Sequence, residues 1–543
     1  MKTTSILVLC GLIFAVAALP EITIVHADPQ TVRINSDGTV EGTEKIHRDE
    51  NLYMFTNNIY GFLVVEKDDI TVDGAGYILQ GNGIKTGINL SNRTNVTITN
   101  LEVKNFTSGI HFSGTAYCNV SGNNILENKN GIHVWGNSNY NTISQNIITF
   151  NRDGIMVIMQ SFLNNNITEN VITNNYEYGV HFLFSYNNTI SGNEIADNEC
   201  GVILEHCSNN VFRNNRLNNN NESFYLVYHD LSDGFNDVDT SNTVDKKPIY
   251  YGVNQQNRIV PSDAGYACLI NCSNIVAQNL NLVNSPHGIL VASTTDSLIK
   301  NCTIENKGNG IELKSSINLT ITENIVTGIS VSSSKNITIT ENNIKNSRIG
   351  VSLSGGRYVL ISRNNITSNI EDGIKFLYSN SNNISYNYIA GNQYTGINLI
   401  GIGDYDCDNN SIIGNTLLEN NGVAVYLSGA ENNTFYHNSF IGNGVSDGLQ
   451  VSNPWYWGSE SNVWDNGLEG NYWSNYNEID TNNDGIGDTP FVINSANIDN
   501  HPLMAPADTG VIPEFSSWIV LPLFFVTTVV AVTVKIKFSK GSK

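Results

Sequence analysis

The sequence predicts an all-β protein that folds as a right-handed parallel β-helix, a solenoid with about 22 residues per coil. Short apolar bursts alternate with Asn-rich segments, and no burst is long enough for an ordinary helix. A glycine followed by Ile or Val also returns at a nearly fixed interval, in two runs: Gly87, Gly109, Gly131, Gly154, Gly179 and Gly201, then Gly288, Gly310, Gly328, Gly350, Gly373, Gly396 and Gly422.

This repeat assigns each residue of a coil to a column. Successive residues of a strand point to opposite faces, so the first and third residues after each glycine face the core and the second faces outward. In the burst at 131–135, Ile132 and Val134 are therefore core residues and His133 is an outward one. About sixteen coils would form a rod on the order of 75 Å long, with Asn residues stacking at the turns.

The N-terminal residues 1–27 have the pattern of a secretory signal peptide. Lys2 precedes an apolar core, and a cleavage site is expected at Ala27. Residues 28–62 lack the repeat and are expected to cap the solenoid, because an uncapped terminal coil exposes unpaired strand edges.

The repeat divides the rest of the folded chain. We expect a first half of the β-helix at 63–225, an irregular excursion at 226–262 and a second half at 263–453. Residues 454–508 are expected to form an aromatic C-terminal cap, since four tryptophans cluster there: Trp455, Trp457, Trp464 and Trp473.

Residues 509–543 predict attachment to a membrane. An uncharged run at 515–534 is long enough for one transmembrane helix, and four lysines follow it. Pro513-Glu514-Phe515, the apolar run and the basic tail together resemble the PEF-type C-terminal sorting signals of archaeal surface proteins. That resemblance implies cleavage near the tripeptide and attachment to lipid. Either way, the folded part is expected outside the cytoplasmic membrane, anchored to the cell surface.

The composition of the chain limits the classes of partner that the protein can bind. A net charge of −22 and a pI near 4.7 argue against nucleic acid and favour divalent cations or glycans. Seven of the eight cysteines remain after removal of the signal peptide, and their odd number and wide scatter argue against a disulfide framework. Asn-X-Thr/Ser sequons are frequent, so glycosylation of exposed sites is expected.

One outward column of the first half departs from the polar norm. It contains three histidines and a methionine, a donor set that suits copper in either oxidation state. Neighbouring positions are aromatic or apolar and could stack on sugar rings. The alternative is that the column only stabilises the sheet. The predicted ligand-binding face comprises His111, His133, Trp135, Met156, Met159, His181, Phe184, Glu205 and His206.

A second candidate is a calcium-like loop in the C-terminal cap. Oxygen ligands at positions 1, 3, 5 and 9, with a backbone carbonyl at position 7, match the first part of an EF-hand loop. Position 12 is Phe491 instead of Glu, so another carboxylate such as Asp499 would be needed. The predicted ligands of this structural site are Asp480, Asn482, Asp484, Ile486 and Asp488.

Three passages of the chain resemble one family. They are DDITVDGAGYILQGNG at 68–83, KKPIYYGVNQQNRIVPSDAGYACLINCSNI at 246–275 and EGNYWSNYNEIDTNNDGIGDTPFVI at 469–493. These passages and the repeats resemble the NosD-type β-helix family of the pectate-lyase-like superfamily, over roughly residues 60–505. The family is described as periplasmic copper-binding proteins and as carbohydrate-binding or sugar-hydrolase-like repeats. The resemblance therefore implies that copper is a possible cofactor.

A catalytic function is the third hypothesis for this protein. The acidic and His-containing constellation of polygalacturonases is absent from the sequence, and Asp68-Asp69 has no such companions. Pairs such as Arg152-Asp153 are expected to be solvated turn residues. The sequence thus favours a surface-anchored, non-catalytic protein that binds glycans or other envelope components. A copper-handling role is the first alternative, and a polysaccharide lyase or glycoside hydrolase is the second.

Overall fold

The computed structural model describes residues 29–158, 162–283, 288–305, 308–402, 405–444, 449–453 and 461–507. These residues form a parallel β-solenoid of about 18 turns, which confirms the predicted fold class. Within them, no helix is long and apolar enough to cross a membrane. The predicted signal peptide, the sorting tripeptide and the C-terminal apolar run all lie outside the described residues.

Each turn contributes one strand to each of three faces. One turn, for example, consists of Ser108–Ser113 on the first face, Asn119–Ser121 on the second and Asn124–Leu126 on the third. Each strand pairs in parallel with the equivalent strands of the neighbouring turns, so a residue's column is set by its position in the repeat.

The first solenoid occupies the N-terminal half. Its first face contains Gln30–Ile34, Ile59–Val65, Thr86–Asn89, Ser108–Ser113, Asn130–Trp135, Asp153–Ile158, Tyr178–Leu183, Cys200–Glu205 and Glu222–Val227. Its second face contains Ile46–Asp49, Leu52–Phe55, Ile70–Asp73, Val96–Thr99, Asn119–Ser121, Thr142–Ser144, Asn166–Thr168, Thr189–Ser191, Val211–Arg213 and Asp237–Val238. Its third face contains Ile78–Gln80, Glu102–Lys104, Asn124–Leu126, Ile147–Thr149, Val171–Thr173, Glu194–Ala196, Arg216–Asn218 and Thr243–Val244.

The second solenoid follows the same order of faces. Its first face contains Lys247–Val253, Tyr266–Ile270, Ile289–Ala292, Ile311–Lys314, Ile329–Ser332, Val351–Ser354, Ile374–Leu377, Ile397–Ile400, Val425–Ser428 and Val451–Ser452. Its second face contains Gln256–Ile259, Ser273–Gln278, Thr295–Lys300, Ile317–Thr322, Lys335–Thr340, Leu360–Ser362, Asn383–Ser385, Ser411–Ile413 and Thr434–Tyr436. Its third face contains Asn281–Val283, Thr303–Glu305, Ile325–Val326, Asn343–Lys345, Asn365–Thr367, Tyr388–Ala390, Thr416–Leu418, Ser439–Ile441 and Tyr472–Trp473.

A few short elements lie outside these faces. Val40–Glu41 pairs in antiparallel fashion with the first strand, and the short strands Phe162–Leu163 and Ser185–Tyr186 pair with each other. A 3-10 helix spans Leu231–Gly234 in the last turn of the first solenoid, between strands Glu222–Val227 and Asp237–Val238. A hairpin of Phe491–Asn494 and Asn497–Asp499 follows the last turn.

The repeat glycine permits a close approach between backbones. A Cβ atom on Gly131 would lie 2.6 Å from the carbonyl oxygen of Gly154 in the next turn, a distance that real Cβ atoms do not adopt. The buried Asn ladders hold the turns together: Asn146 donates from Nδ2 to Asn170 Oδ1 at 3.0 Å and to the carbonyl of Val120 at 2.9 Å. The predicted stacking of Asn residues at the turns is therefore present.

The two solenoids have separate hydrophobic cores that meet at strand Tyr266–Ile270. All five residues of this strand are buried. Ala267 and Leu269 belong to the second core, whereas Tyr266, Cys268 and Ile270 belong to the first. The outward side of the second solenoid therefore closes the open end of the first, and the chain does not form one uninterrupted core along a single rod.

Aromatic rings close the other end of the second core. Trp464 stacks on Phe435 with ring centroids 4.3 Å apart, and Trp473 stacks on Phe491 at the same separation. Both indoles are buried. Trp455 and Trp457, which were predicted to contribute to this cap, lie outside the described residues.

Candidate functional site

The predicted outward column forms one ladder on the exterior of the first face. Cross-strand neighbours are His111 and His133, then His133 and Met156, then Met156 and His181. The same ladder continues to Ile203 and Tyr225 in the last two turns of the first solenoid. Because neighbouring strands lie about 4.8 Å apart, these side chains form a continuous row.

A second row, made of the residues just before each repeat glycine, runs beside the histidine ladder. The register pairs Asn130 with Asp153 in this row, and it pairs Tyr178 with Cys200. The Tyr178 ring lies 4.8 Å from that of His181, measured between centroids. The two rows together form the floor of the candidate face.

Asp153 is a carboxylate of this second row and is fully buried, with 0% of its surface exposed. Arg152 donates to its Oδ2 from Nη2 at 2.7 Å and from Nε at 3.1 Å, whereas Oδ1 has no hydrogen-bond partner. Burial raises the pKa of Asp153, and the Arg152 guanidinium opposes that shift. The expectation that this pair is a solvated turn is therefore wrong, because the outward face buries the carboxylate.

Three ring nitrogens of the ladder histidines lack a hydrogen-bond partner, whereas His133 Nδ1 lies 3.4 Å from Ser108 Oγ. His133 Nε2 and both ring nitrogens of His181 are buried without a hydrogen bond. Burial is the main cause that lowers the pKa of His111, that of His181, and that of His133 to about 4. The imidazoles are therefore neutral near pH 7, the form in which imidazole binds metals.

A metal-ligating cluster lies where the first solenoid ends. One ligand atom from each of Glu205, His206 and His229 lies within 4.8 Å of the other two. His229 Nε2 is 3.3 Å from Glu205 Oε1, and the His206 and His229 rings stack with centroids 4.3 Å apart. His206 Nδ1 also lies 3.5 Å from Oδ1 of the buried Asp233.

The loop between strands Glu222–Val227 and Asp237–Val238, in the last turn of the first solenoid, places His229 and Asp233. Asp233 Oδ2 accepts hydrogen bonds from the backbone N–H groups of His229 at 2.9 Å and Asp230 at 3.2 Å. The second solenoid supports the segment, since Lys314 Nζ donates to the Tyr228 carbonyl at 3.2 Å. Sequence reasoning missed His229, although it lies one repeat length after His206, because the glycine repeat stops before it.

The remaining members of the predicted face have different surroundings. Phe184 stacks on His206 with ring centroids 4.7 Å apart, so it borders the metal-ligating cluster. Trp135 is 43% exposed and meets His133 edge-on. Met159 lies outside the described residues. The structure thus brings the histidine ladder and the cluster onto one continuous exterior face.

The calcium-like loop has the hydrogen bonds of a tight acidic turn. Asp480 Oδ2 accepts from the Gly485 N–H at 2.9 Å, and Asp484 Oδ1 accepts from the Ile486 N–H at 3.0 Å. Asn482 Oδ1 accepts from the Asp484 N–H at 3.0 Å, so three predicted side-chain ligands lie around one turn. Gly485 has a φ of +87°, which the turn requires.

The other predicted side chains of this region are placed differently. Asp488 Oδ2 accepts a hydrogen bond from the Thr481 N–H at 3.0 Å, at the base of the loop. Asp499 is buried and accepts from Trp473 Nε1 and from the Asn471 N–H, each at 2.8 Å. The suggestion that Asp499 completes the calcium loop is therefore not supported, because the core uses this carboxylate.

The fold and the face define a class: a parallel β-solenoid that carries imidazole, carboxylate and thioether side chains on the exterior of one sheet. The sequence matches the family described as "Periplasmic copper-binding protein (NosD)" over residues 44–252, 252–327 and 318–478. These matches cover most of the chain. The protein therefore belongs to the NosD family, which confirms the resemblance noted in its sequence.

Solved β-helix structures resemble the chain only distantly. The DFA-IIIase from Arthrobacter chlorophenolicus A6 in complex with GF2 is 13% identical with a TM-score of 0.27, over 52% of this chain and 66%, just under two thirds, of that one. The mannuronan C-5 epimerase AlgE6 A-module from Azotobacter vinelandii is 14% identical with a TM-score of 0.24, over 74% of this chain and 89% of that one. The PL6 family polysaccharide lyase Pedsa3628 from Pseudopedobacter saltans is 13% identical with a TM-score of 0.25, over 77% and 90%. No curated protein sequence matches the chain.

Proposed function

We propose that this protein is a non-catalytic copper-binding β-solenoid of the cell envelope, and that Glu205, His206 and His229 hold the ion. The observation that carries the proposal is the approach of one carboxylate and two imidazoles to within 4.8 Å of one another. The family's description as periplasmic and copper-binding supports both the metal and a location outside the cytoplasmic membrane.

The chemistry of the cluster fits divalent copper. Nitrogen and oxygen donors suit Cu(II), which binds such sites more tightly than the other divalent first-row metals do. Asp233 lies beside His206 Nδ1 and would orient that ring toward the ion through Nε2. Any carboxylate beside an imidazole also favours bound cations over anions, in keeping with the acidic chain.

Copper titration of the full chain tests the proposal. His229→Ala removes one of three protein ligands, and we expect the affinity for Cu(II) to fall by about tenfold or more, since even the partners of ligands contribute tenfold or more to metal affinity. His437→Ala is the matched control, because His437 pairs with Glu469 at 2.5 Å on the second solenoid without belonging to the cluster. Equal Cu(II) affinity in the wild type and His229→Ala would exclude this site.

Glycan binding is a second candidate, and a different observation favours it. Tyr117 and Tyr140 stack with ring centroids 5.2 Å apart and an interplanar angle of 7°, and both are exposed. Exposed aromatic faces of this kind can stack on sugar rings. We expect Tyr140→Ala to weaken retention on a glycan array, with the exposed Tyr394→Ala as a control. Absence of binding to neutral and acidic glycans contradicts this candidate, and release of new sugar ends would indicate an enzyme.

A further inference from the structure

We propose that the second solenoid forms an intramolecular amide cross-link between the side chains of Lys375 and Asn398, with Asp372 as the group that moves the proton. The bond would join two consecutive turns covalently. This inference is independent of the proposed function, because it concerns the other solenoid and involves no metal.

Register brings the two reacting side chains together. Lys375 lies in strand Ile374–Leu377 and is the direct cross-strand neighbour of Asn398, in strand Ile397–Ile400 of the next turn. Both point outward from the first face, because the residues on either side of each are buried in the core. Neighbouring strands lie about 4.8 Å apart, a separation that a bent lysine side chain can bridge to the Asn398 amide.

A buried carboxylate contacts both side chains. Asp372, the residue before the repeat glycine, is 4% exposed. Its Oδ2 accepts a hydrogen bond from Asn398 Nδ2 at 2.9 Å and lies 3.9 Å from Lys375 Nζ. Its Oδ1 accepts from the Thr395 N–H at 3.1 Å, which holds the carboxylate in place. One oxygen atom thus faces both the amine that would attack and the nitrogen that would leave.

This arrangement supports a balanced reaction. Lys375 gives a proton to Asp372, and burial favours the transfer because charged groups are costly away from water. The neutral amine attacks Cγ of Asn398, a bond forms between Nζ and Cγ, and the bond between Cγ and Nδ2 breaks. Asp372 passes its proton to Nδ2, which leaves as ammonia and takes up the second proton lost by Nζ to become ammonium. The reaction consumes no oxidant, reductant or cofactor.

An unpartnered atom supports the same reaction. Asn398 Oδ1 is buried without a hydrogen-bond partner, although buried acceptors are nearly always paired. Once Asp372 carries the proton it becomes a donor, and Oδ1 belongs to the amide that Asp372 already contacts. A hydrogen bond to this oxygen would withdraw charge from Cγ and stabilise the oxyanion that forms during attack.

Comparison with Lys300 shows what sets this site apart. Lys300 also has a side-chain amide, that of Gln278, as its cross-strand neighbour, and its Nζ lies 2.9 Å from Glu323 Oε1. The two side chains of that ion pair are 41% and 45% exposed, so water solvates both charges. The side chains of Lys375 and Asp372 are only 24% and 6% exposed. We therefore expect no cross-link at Lys300.

Mass spectrometry of the full chain, produced in a host that does not glycosylate it, tests the cross-link. Cleavage after glutamate releases residues 372–419, which contain Lys375 as their only lysine and also contain Asn398. We expect this peptide to weigh less than its sequence requires by one ammonia molecule, to resist trypsin at Lys375, and to give fragments in which Lys375 carries Asn398. A peptide of full mass that trypsin cuts after Lys375 overturns the proposal.

Two variants test the role of the carboxylate. Asp372→Asn keeps an acceptor for the Thr395 N–H but cannot take up the proton, so we expect its peptide to stay unlinked. Lys345→Arg is the matched control, because Lys345 lies on the third face opposite Thr367, and its peptide should be linked as in the wild type. A linked peptide in Asp372→Asn overturns the role of Asp372. The wild-type peptide decides the cross-link itself, so the test does not depend on the folding of a variant.

Discussion

Asp499 shows how the fold assigns one carboxylate to its core. Trp473 Nε1 and the Asn471 N–H donate to its Oδ2, and the His501 N–H donates to its Oδ1 at 3.1 Å. Burial is the main cause that raises the pKa of Asp499, and these hydrogen bonds oppose the shift. A carboxylate in an exposed loop differs from Asp499, because water solvates it in both of its protonation states.

A pH-dependent stability follows from this shift. Because the folded-state pKa of Asp499 lies above its ordinary value of 3.8, folding stabilises the protonated form. This contribution is present below pH 3.8 and is lost as pH rises through the folded-state pKa. We expect the free energy of unfolding of the wild type, minus that of Asp499→Asn, to decrease as pH rises through this range and then level off. Denaturant titrations at several pH values measure it, with the exposed Asp406→Asn as control. A difference that increases with pH contradicts the assignment.

At the scale of elements, two kinds of Asn-rich segment have different roles. Buried turn residues such as Asn170 and Asn193 form a ladder, since Asn170 Nδ2 donates to Asn193 Oδ1 at 3.0 Å. In the loop that begins at Asp480, the side chains of Asn482 and Asp484 remain exposed, and Asn482 Nδ2 donates to Asp484 Oδ2 at 2.8 Å. The buried Asn ladder stabilises the coil by itself. The exposed loop instead brings negative charges together, and a bound cation would neutralise them.

Calcium binding by this loop remains a prediction that thermal unfolding can test. We expect Ca²⁺ to raise the unfolding temperature of the wild type, because a ligand at a hundredfold excess over its dissociation constant stabilises by about 2.7 kcal/mol. Asp484→Asn removes one charged ligand but can still accept from the Ile486 N–H, and it should reduce the calcium-induced rise. Asp263→Asn, at an exposed position away from the loop, should keep the full rise. No rise in the wild type excludes the site.

At the scale of the whole molecule, the junction between the solenoids determines how the first core is closed. Leu290 and Ala292 point outward from the second solenoid and belong to the first core. Tyr228 Oη lies 2.8 Å from Ser293 Oγ, and Tyr251 Oη donates to the Gly234 carbonyl at 2.8 Å. These contacts also hold the segment that carries His229, so the integrity of the junction and of the metal-ligating cluster depend on the same packing.

Leu290→Asp tests this role of the junction. It replaces a fully buried apolar side chain with a charge, and we expect a loss of about 3 kcal/mol or more in the free energy of unfolding. Ser352→Asp is the matched control, because Ser352 lies in the same outward column two turns beyond Glu312 and is only partly buried. Denaturant unfolding measures both. Equal stability of the two variants would mean that the second solenoid does not close the first.

Much of the fold and part of the site were predictable from the sequence. The alternation around each repeat glycine placed His111, His133, Met156 and His181 in one column, and the structure shows that register. The burial of Asp153 was not predictable, because a pair next to a turn glycine resembles an exposed turn until the neighbouring rows are stacked beside it.

The sequence by itself determined the solenoid, its period and its columns, because these depend on contacts between residues one repeat apart and recur in every turn. Only the tertiary structure decided which outward positions become buried and which loops complete a site. The outward Leu290 becomes core, and His229 joins Glu205 and His206 at the end of the first solenoid. The physical reason is that contacts such as Tyr228 with Ser293 join segments that no periodic pattern relates.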